Sequence, residues 1–321
     1  MRQKIFTLLL ISAIGLVSCR KDKIELDIKQ YDDAQIQAYI SSHGITGMQK
    51  DTSKQDSSGI YYQLLLPGKV VPPATTLQQL DYPDKVSFVF TLRSVDDKYI
   101  SADTIQNRME DYLGHLTSNA LPYGLEMAIR NIVKYKGASA RLLIPSHLAY
   151  GVSGYTISGG SSTTANTKIA GNQSLDYYVH IIDNYKDYDQ QLIQSRVSDI
   201  STYTKVESDA KPGYFYYYKI QTPGTGTDKI GPNSTITCTY TGELLNGFVF
   251  DGSYNGTNIA TQPVASYAVS GLSEALQKFA VAGTKIVVIV PSDLAYGNTT
   301  AGTIPTNSVL KFSYQILTVT Q

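Results

Sequence analysis

The chain has 321 residues, with 27 Lys and Arg residues against 27 Asp and Glu residues, so its formal net charge is zero. A balanced charge offers neither the basic surface that nucleic acids need nor a polybasic patch for anionic lipids. We therefore expect no nucleic-acid partner. Hydrophobic residues make up 42% of the chain, which is enough for packed cores, and the length favours about two domains.

The N-terminal segment 1–19 has the pattern of an export signal. Arg2 and Lys4 precede an uncharged apolar run that is too short to cross a bilayer. The run ends in LVSC, which resembles a bacterial lipobox, and this resemblance implies that Cys19 becomes the lipidated first residue of the mature chain. The alternative is an ordinary secretory signal with an incidental cysteine. We expect a polar tether over residues 20–30 and a lipid anchor in the cell envelope, in the outer membrane, with no preference between its two faces.

The remaining reactive residue types give little sign of metal or nucleophile chemistry. Cys238 lies in the strand-like run TITCTYTG and has no partner once the first cysteine is lipidated, so we predict a small buried side chain and no disulfide. The acidic pairs Asp32-Asp33 and Asp96-Asp97 are predicted to lie in solvated caps or turns. Four histidines are scattered without the spacing of a zinc site: His43, His115, His147 and His180. We expect no metal and no cofactor.

The chain contains an internal sequence repeat. The phrase LIPSHLAYG at 143–151 returns as IVPSDLAYG at 289–297, a period of about 150 residues. Other segments repeat in the same order: a helical YDDAQIQAYI answers YDQQLIQSRV, and an aromatic strand ending in Pro-Gly follows each of them. A period of this length indicates domain duplication and not a short-repeat solenoid.

Each copy has the pattern of strand, strand, short amphipathic helix, strand, Pro-containing turn and strand. In the second copy, Leu276, Phe279 and Ala280 lie on one helix face, and Gly283 ends the helix. The run KIVVIV is β-branched and is stopped by Pro291, so it reads as a buried strand. The predicted fold class is α+β: two tandem domains, each an antiparallel sheet wrapped over a short helix, with an additional N-terminal helix per repeat.

The second copy carries a family resemblance. The pieces TYTG, FVFDGS, SGL, AYG and IPTNSVLKF follow one another at family spacing over about residues 229–320, and this order resembles the FKBP-type peptidyl-prolyl cis-trans isomerases. The resemblance implies a protein-folding factor that isomerises X–Pro bonds in proline-containing polypeptide clients through residues 229–321, without a cofactor. It also implies that the duplicated AYG phrase is the turn of this family.

The resemblance also assigns a site, residue by residue. Asp251, Tyr296 and Tyr240 would be its catalytic polar groups. The Asp251 carboxylate would lie near the substrate amide carbonyl or be bonded to Tyr240, and the Tyr296 phenol would donate to a substrate carbonyl. The implied substrate-binding wall is apolar: Phe250, Val269, Leu272, Ile304 and Phe312. Leu272 stands where the family usually has Trp, so we expect reduced activity.

The first copy departs further from the family pattern. Its four relevant differences are Phe90 for Tyr240, Leu92 for Gly242, Ile100 for Phe250 and Ser101 for Asp251. Tyr150 is kept, but a Ser/Thr/Gly-rich loop at 151–171 is inserted beside the corresponding site. We expect a degenerate FKBP-like domain with a leading helix over 31–187, kept for scaffolding or binding.

The remaining segment 188–228 is predicted to be a linking helix and strand before the isomerase domain at 229–321. A second function class stays open, namely a non-catalytic FKBP-like lipoprotein that binds or assembles an envelope protein or glycan. The sequence favours no particular client or oligomeric state.

Overall fold

A computed structural model describes residues 27–52, 58–156, 167–253, 257, 259–261 and 263–321. The predicted signal and Cys19 lie outside the described residues, as do most of the predicted tether and the middle of the 151–171 loop. Among the described residues, no helix combines the length and the apolar character needed to cross a bilayer.

The first domain begins with a helix, which starts inside the predicted tether. Its helices are α1 (Ile28–Ser42) and α2 (Tyr123–Ala128, continued by a π turn Ile129–Val133), and its strands are β1 (Gln49–Lys50), β2 (Tyr61–Leu66), β3 (Lys85–Ser94), β4 (Ile100–Ser101), β5 (Arg108–Tyr112), β6 (Ser139–Ile144), β7 (Tyr155–Thr156), β8 (Lys168–Ile169) and β9 (Leu175–Ile181). The sheet has the order β1-β2-β6-β9-β3-β4, β5 also pairs with β3, and β7 pairs with β8 in a separate hairpin. All these pairings are antiparallel.

The second domain repeats this plan. Its helices are α3 (Tyr185–Arg196) and α4 (Ser270–Phe279), and its strands are β10 (Thr204–Glu207), β11 (Phe215–Thr222), β12 (Thr235–Leu244), β13 (Val249–Gly252), β14 (Ile259–Ala260), β15 (Lys285–Val290) and β16 (Leu310–Thr320). The sheet order β10-β11-β15-β16-β12-β13 matches that of the first domain position by position. The α+β class and the tandem arrangement predicted from the sequence are therefore confirmed.

The segment 188–228 is more than a link between domains. Its strand β11 pairs along its length with β15, and β10 adds an edge strand to β11, so both lie in the second sheet. Each leading helix then packs on its own sheet: Ile36 of α1 lies against Leu143, and Ile193 of α3 lies against Ile289, all fully buried. The helices therefore belong to the domains that follow them.

The core of the second domain lies between α4 and the face of the sheet that α3 does not cover. Leu276 of α4 is fully buried there, and Phe279 at the end of the same helix stacks on Tyr218 of β11 at 4.0 Å between ring centroids. Cys238 is also fully buried, as predicted, and burial raises the pKa of its thiol to about 11. This core supports the strands that carry the candidate site.

Candidate functional site

A hydrogen-bonded pair on β12 and β13 forms the polar edge of the site. The hydroxyl of Tyr240 donates to Oδ2 of Asp251 at 2.7 Å, and the backbone N–H of Gly252 donates to Oδ1 at 2.8 Å. Of the two positions expected for the carboxylate, the structure thus has the one bonded to Tyr240. Burial and the neighbouring carboxylate raise the pKa of Tyr240, so its phenol keeps its proton and remains a donor.

The apolar wall beside this pair is built from two aromatic rings. Phe250 meets Phe312 of β16 edge to face, with ring centroids 5.8 Å apart, a favourable geometry for aromatic pairs. Gly242 makes this packing feasible, because a Cβ atom there would lie 2.6 Å from the Phe250 ring and 3.1 Å from Phe312. The Gly of the TYTG motif therefore has a packing role.

The floor of the site is formed where α4 begins. Val269 and Leu272 lie there with only 4% and 3% of their surface exposed, and Ile304 adds a third buried side chain from the loop before β16. Gly271 lets the helix approach the sheet, because a Cβ atom on it would lie 2.7 Å from Val290. Leu272 is thus buried at the start of α4, in the same cluster as Val269 and Ile304.

Tyr296 borders the floor from the turn after β15. It is half-buried and packs against the same cluster, and its hydroxyl makes no hydrogen bond with any residue that the structure describes. Burial, and then the charge of Asp251, raise its pKa, so the phenol remains protonated. The structure thus brings together all eight residues that the sequence assigned to the site, with a phenol that is free to donate.

The corresponding region of the first domain is closed. The hydroxyl of Tyr150, the counterpart of Tyr296, donates to the carbonyl oxygen of Ala120 at 3.0 Å. Its ring is stacked on Tyr155 at 4.7 Å between centroids, and Tyr155 belongs to β7 at the base of the inserted loop. Tyr177, in the register position of Phe312, is fully buried nearby. The tyrosine of the first-domain turn is therefore engaged, whereas its counterpart Tyr296 has no hydrogen bond to the residues that the structure describes.

The strand register explains how the Phe-Asp pair was lost in the first copy. Leu92 pairs with Ser101 across β3 and β4, just as Gly242 pairs with Asp251 across β12 and β13. Leu92 is buried, so its side chain stands where the absence of a Cβ atom on Gly242 admits an aromatic ring. Ile100 replaces Phe250 beside it, which keeps the first domain packed without an aromatic wall.

Sequence reasoning missed two features, one at the candidate site and one in the first domain. Tyr314 of β16 stacks on Tyr240 at 5.0 Å between centroids and so fixes the ring of the polar pair. Asp32 was expected to be solvated, and that expectation was wrong: its side chain is buried and accepts a hydrogen bond from Ser146 at 2.6 Å. Each copy has an Asp in its leading helix and a PSxLAYG motif later in the chain. An alignment of the two copies could therefore have indicated that this Asp contacts the motif.

Fold and site together define a class of domain in which an antiparallel sheet wraps over one helix and presents an aromatic, tyrosine-bordered apolar site. Residues 226–317 match the family described as FKBP-type peptidyl-prolyl cis-trans isomerase.

Two curated relatives are similar to about a third of the chain. An outer membrane protein MIP of Legionella longbeachae is 42% identical over 103 residues, which are 32% of this chain and 43% of that protein. The FKBP-type peptidyl-prolyl cis-trans isomerase FkpA of Aeromonas hydrophila is 36% identical over 102 residues, which are 32% of this chain and 37% of that protein. The chain thus spans less than half the length of either relative.

Among solved structures, a peptidyl-prolyl cis-trans isomerase from Pseudomonas syringae is 26% identical to this chain. The similarity covers 43% of this chain and 94% of that one, with a TM-score of 0.36. The three FKBP domains of wheat FKBP73 are 18% identical and cover 86% of this chain and 99% of that one, with a TM-score of 0.32.

Proposed function

We propose that this protein is a peptidyl-prolyl cis-trans isomerase whose activity resides in the second domain. The observation that carries the proposal is the unengaged phenol of Tyr296 at the edge of a buried apolar floor, near enough to Asp251 for that charge to raise its pKa. Its substrates are proline-containing polypeptides, because the wall of Phe250 and Phe312 suits the apolar face of a proline ring.

The chemistry needs no covalent step. Rotation about an X–Pro bond faces a barrier of about 18–20 kcal/mol because the amide resonance must be broken. An apolar site that excludes water destabilises the planar, polar amide, and a donor placed for the twisted form lowers the barrier further. In this scheme Tyr296 donates to a substrate carbonyl oxygen, while Asp251 holds Tyr240 and presents negative charge at the edge of the site.

The degenerate first domain supports a second role for the chain. In it, the hydroxyl of Tyr150, the counterpart of Tyr296, is already bonded to the carbonyl oxygen of Ala120. We assign it a scaffolding or binding role beside the isomerase. The rival function, a non-catalytic lipoprotein that binds or assembles an envelope partner, would extend this role to the whole chain.

We place the protein in the cell envelope. The LVSC ending of segment 1–19 supports lipidation at Cys19, and the name of the Legionella relative refers to the outer membrane. A lipid anchor would hold the isomerase near newly exported polypeptides.

The test is a proline-isomerisation assay on the full chain with an apolar-X–Pro peptide. We expect catalysis, and we expect Asp251→Ala to lower kcat/KM by about tenfold. Because Asp251 is exposed, its substitution should leave the melting temperature nearly unchanged. Peptide binding without turnover in the wild-type chain would instead support the non-catalytic function.

A further inference from the structure

The turn that carries Tyr296 is held by a helix outside the family match. The backbone N–H and the hydroxyl of Ser292 both donate to Oδ2 of Asp189, at 2.7 and 2.6 Å. Asp189 lies on α3 with 0% of its surface exposed. A buried carboxylate that accepts two hydrogen bonds at these distances is a firm anchor.

Ser292 passes this restraint on to Tyr296 through its carbonyl oxygen. The backbone N–H groups of Ala295 and Gly297 both donate to that oxygen, at 3.0 and 2.9 Å. These two residues flank Tyr296 in the chain, so the backbone is bonded to Ser292 both before and after the tyrosine. Because Ser292 is in turn fixed to Asp189, the placement of the phenol depends on α3.

The first domain makes the same contact without an open phenol. Ser146 donates its hydroxyl to Asp32 of α1 at 2.6 Å, and the backbone N–H of Ala149 donates to the Ser146 carbonyl oxygen at 3.0 Å. Tyr150 is nevertheless held by its own hydrogen bond to Ala120. Asp32 also contacts the backbone N–H and the ring Nδ1 of His147, at 3.2 and 2.7 Å, whereas the backbone donor to Asp189 is Ser292 itself. The two copies thus share a helix carboxylate bonded to the turn serine, with the turn tyrosine bonded in one copy and unengaged in the other.

The surroundings of Asp189 are polar on several sides. Ionisable groups from three elements act on it: Arg108 of β5, Tyr185 and Tyr188 of α3, and Asp293 of the turn. Burial raises the pKa of Asp189 to about 6, with the Ser292 hydrogen bonds acting in the opposite direction.

We propose that Asp189 is a positioning residue for Tyr296, so that α3 is part of the isomerase site although it lies outside residues 226–317. This inference rests on the proposed function, since positioning acts on turnover only if Tyr296 contacts the substrate. The carboxylate touches no substrate itself. It fixes the distance between the phenol and the floor, and a displacement of about 1 Å at such a group is enough to lower the rate strongly.

The test uses the full chain with Asp189→Ala and a matched variant, Asp32→Ala, in the closed copy. We expect Asp189→Ala to lower kcat by about tenfold with KM little changed, because the donor is misplaced for the twisted amide. Asp189→Asn, which keeps an acceptor oxygen, should recover most of the loss. Asp32→Ala should leave kcat and KM unchanged at temperatures below its melting transition.

A double variant separates positioning from general destabilisation. If Asp189 acts through Tyr296, Asp189→Ala should cost nothing further in a Tyr296→Phe background. Equal losses from Asp32→Ala and Asp189→Ala, or losses that multiply in the double variant, would overturn the inference while leaving the proposed function intact.

Amide hydrogen exchange tests the inference independently of turnover. In Asp189→Ala, exchange at Ala295 and Gly297 should be faster than in the wild type, whereas Asp32→Ala should leave it unchanged. Unchanged exchange in Asp189→Ala overturns the inference. A wild-type chain without isomerase activity would overturn the proposed function alone.

Discussion

Arg108 of the first domain donates a hydrogen bond to the backbone carbonyl oxygen of Asn307 in the second domain. The side-chain amide of Asn307 donates in return to Glu110 of the first domain. The backbone N–H of Asn307 donates to the carbonyl oxygen of Gly297 at 2.7 Å, directly after Tyr296. The degenerate domain is therefore hydrogen-bonded to the loop that borders the candidate site.

Ile105 adds an apolar contact to this junction, which leads to the first prediction. It lies in the first domain, yet it is 2% exposed and belongs to the buried cluster of the second. We expect Ile105→Ala to lower the free energy of unfolding by about 2–5 kcal/mol. Hydrogen exchange in rising urea should show the loss in β12 and β16 of the second domain. The exposed neighbour variant Gln106→Ala should have little effect, and a loss confined to first-domain strands would argue against the junction.

The contacts of Arg108, Glu110 and Ile105 with the second domain also predict how the two halves behave when they are expressed separately. We expect residues 188–321 alone to accelerate isomerisation and residues 20–187 alone not to do so, because only the second domain keeps the Phe250-Asp251 pair. The isolated second domain should also melt at a lower temperature than it does in the full chain, since the contact with Ile105 is gone. Equal activity of the two halves would show that the site is wrongly assigned.

Two equivalent tyrosines give the next prediction. Tyr296→Phe removes an unengaged hydroxyl, and we expect it to lower kcat/KM by about tenfold without a change in melting temperature. Tyr150→Phe removes a hydroxyl bonded to Ala120, so it should lower stability by about 1 kcal/mol and leave activity unchanged. Steady-state kinetics and thermal melts on both variants test these two expectations. Lost turnover in Tyr150→Phe would place activity in the first domain.

Leu272 tests the floor of the site. An indole at this position would add apolar contact with a proline ring, so Leu272→Trp should raise kcat/KM and tighten binding of a macrolide immunosuppressant. The side chain is 3% exposed, so overpacking is the opposing effect and costs about 1–3 kcal/mol. Thermal melts must accompany the kinetics. A destabilised domain with no gain in turnover would mean that Leu272 belongs to the core and not to a binding floor.

The pKa of Asp189 predicts a pH dependence of stability. The folded chain holds this pKa at about 6, above the ordinary value of 3.8. Between these values the folded state binds the proton more tightly, so the free energy of unfolding should fall as pH rises from about 4 to about 6, by up to about 3 kcal/mol, and stay lower above that. Asp189→Asn should remove this component in urea titrations from pH 4 to 7. Parallel pH profiles for the wild type and the variant would contradict the prediction.

Cys19 carries the prediction for the anchor. Cys19→Ser should yield a protein that is either released in soluble form or retained with its signal uncleaved. Mass spectrometry of the wild-type N-terminus and membrane fractionation provide the measurement. A wild-type chain with an unmodified N-terminus, at Cys19 or elsewhere, would rule out the lipoprotein assignment.

Patterns in the sequence predicted the duplication and the α+β class, because strands, turns and short motifs depend on near neighbours and on spacing along the chain. The residues of the candidate site were proposed from the family resemblance. Phe250 and Asp251 are adjacent in the sequence, and Tyr296 lies within the repeated AYG phrase. The corresponding loss of the Phe-Asp pair in the first copy was visible in the same way.

Tertiary contacts determine which tyrosine hydroxyl is engaged and what holds each turn. Tyr150 is stacked on Tyr155 and bonded to Ala120, whereas Tyr296 has no such bond to the described residues. Asp189 and Ser292 are 103 positions apart, and Ile105 is buried in the other domain. Contacts at such separations leave no periodic trace in the sequence, because packing in three dimensions, and not propensity along the chain, selects them.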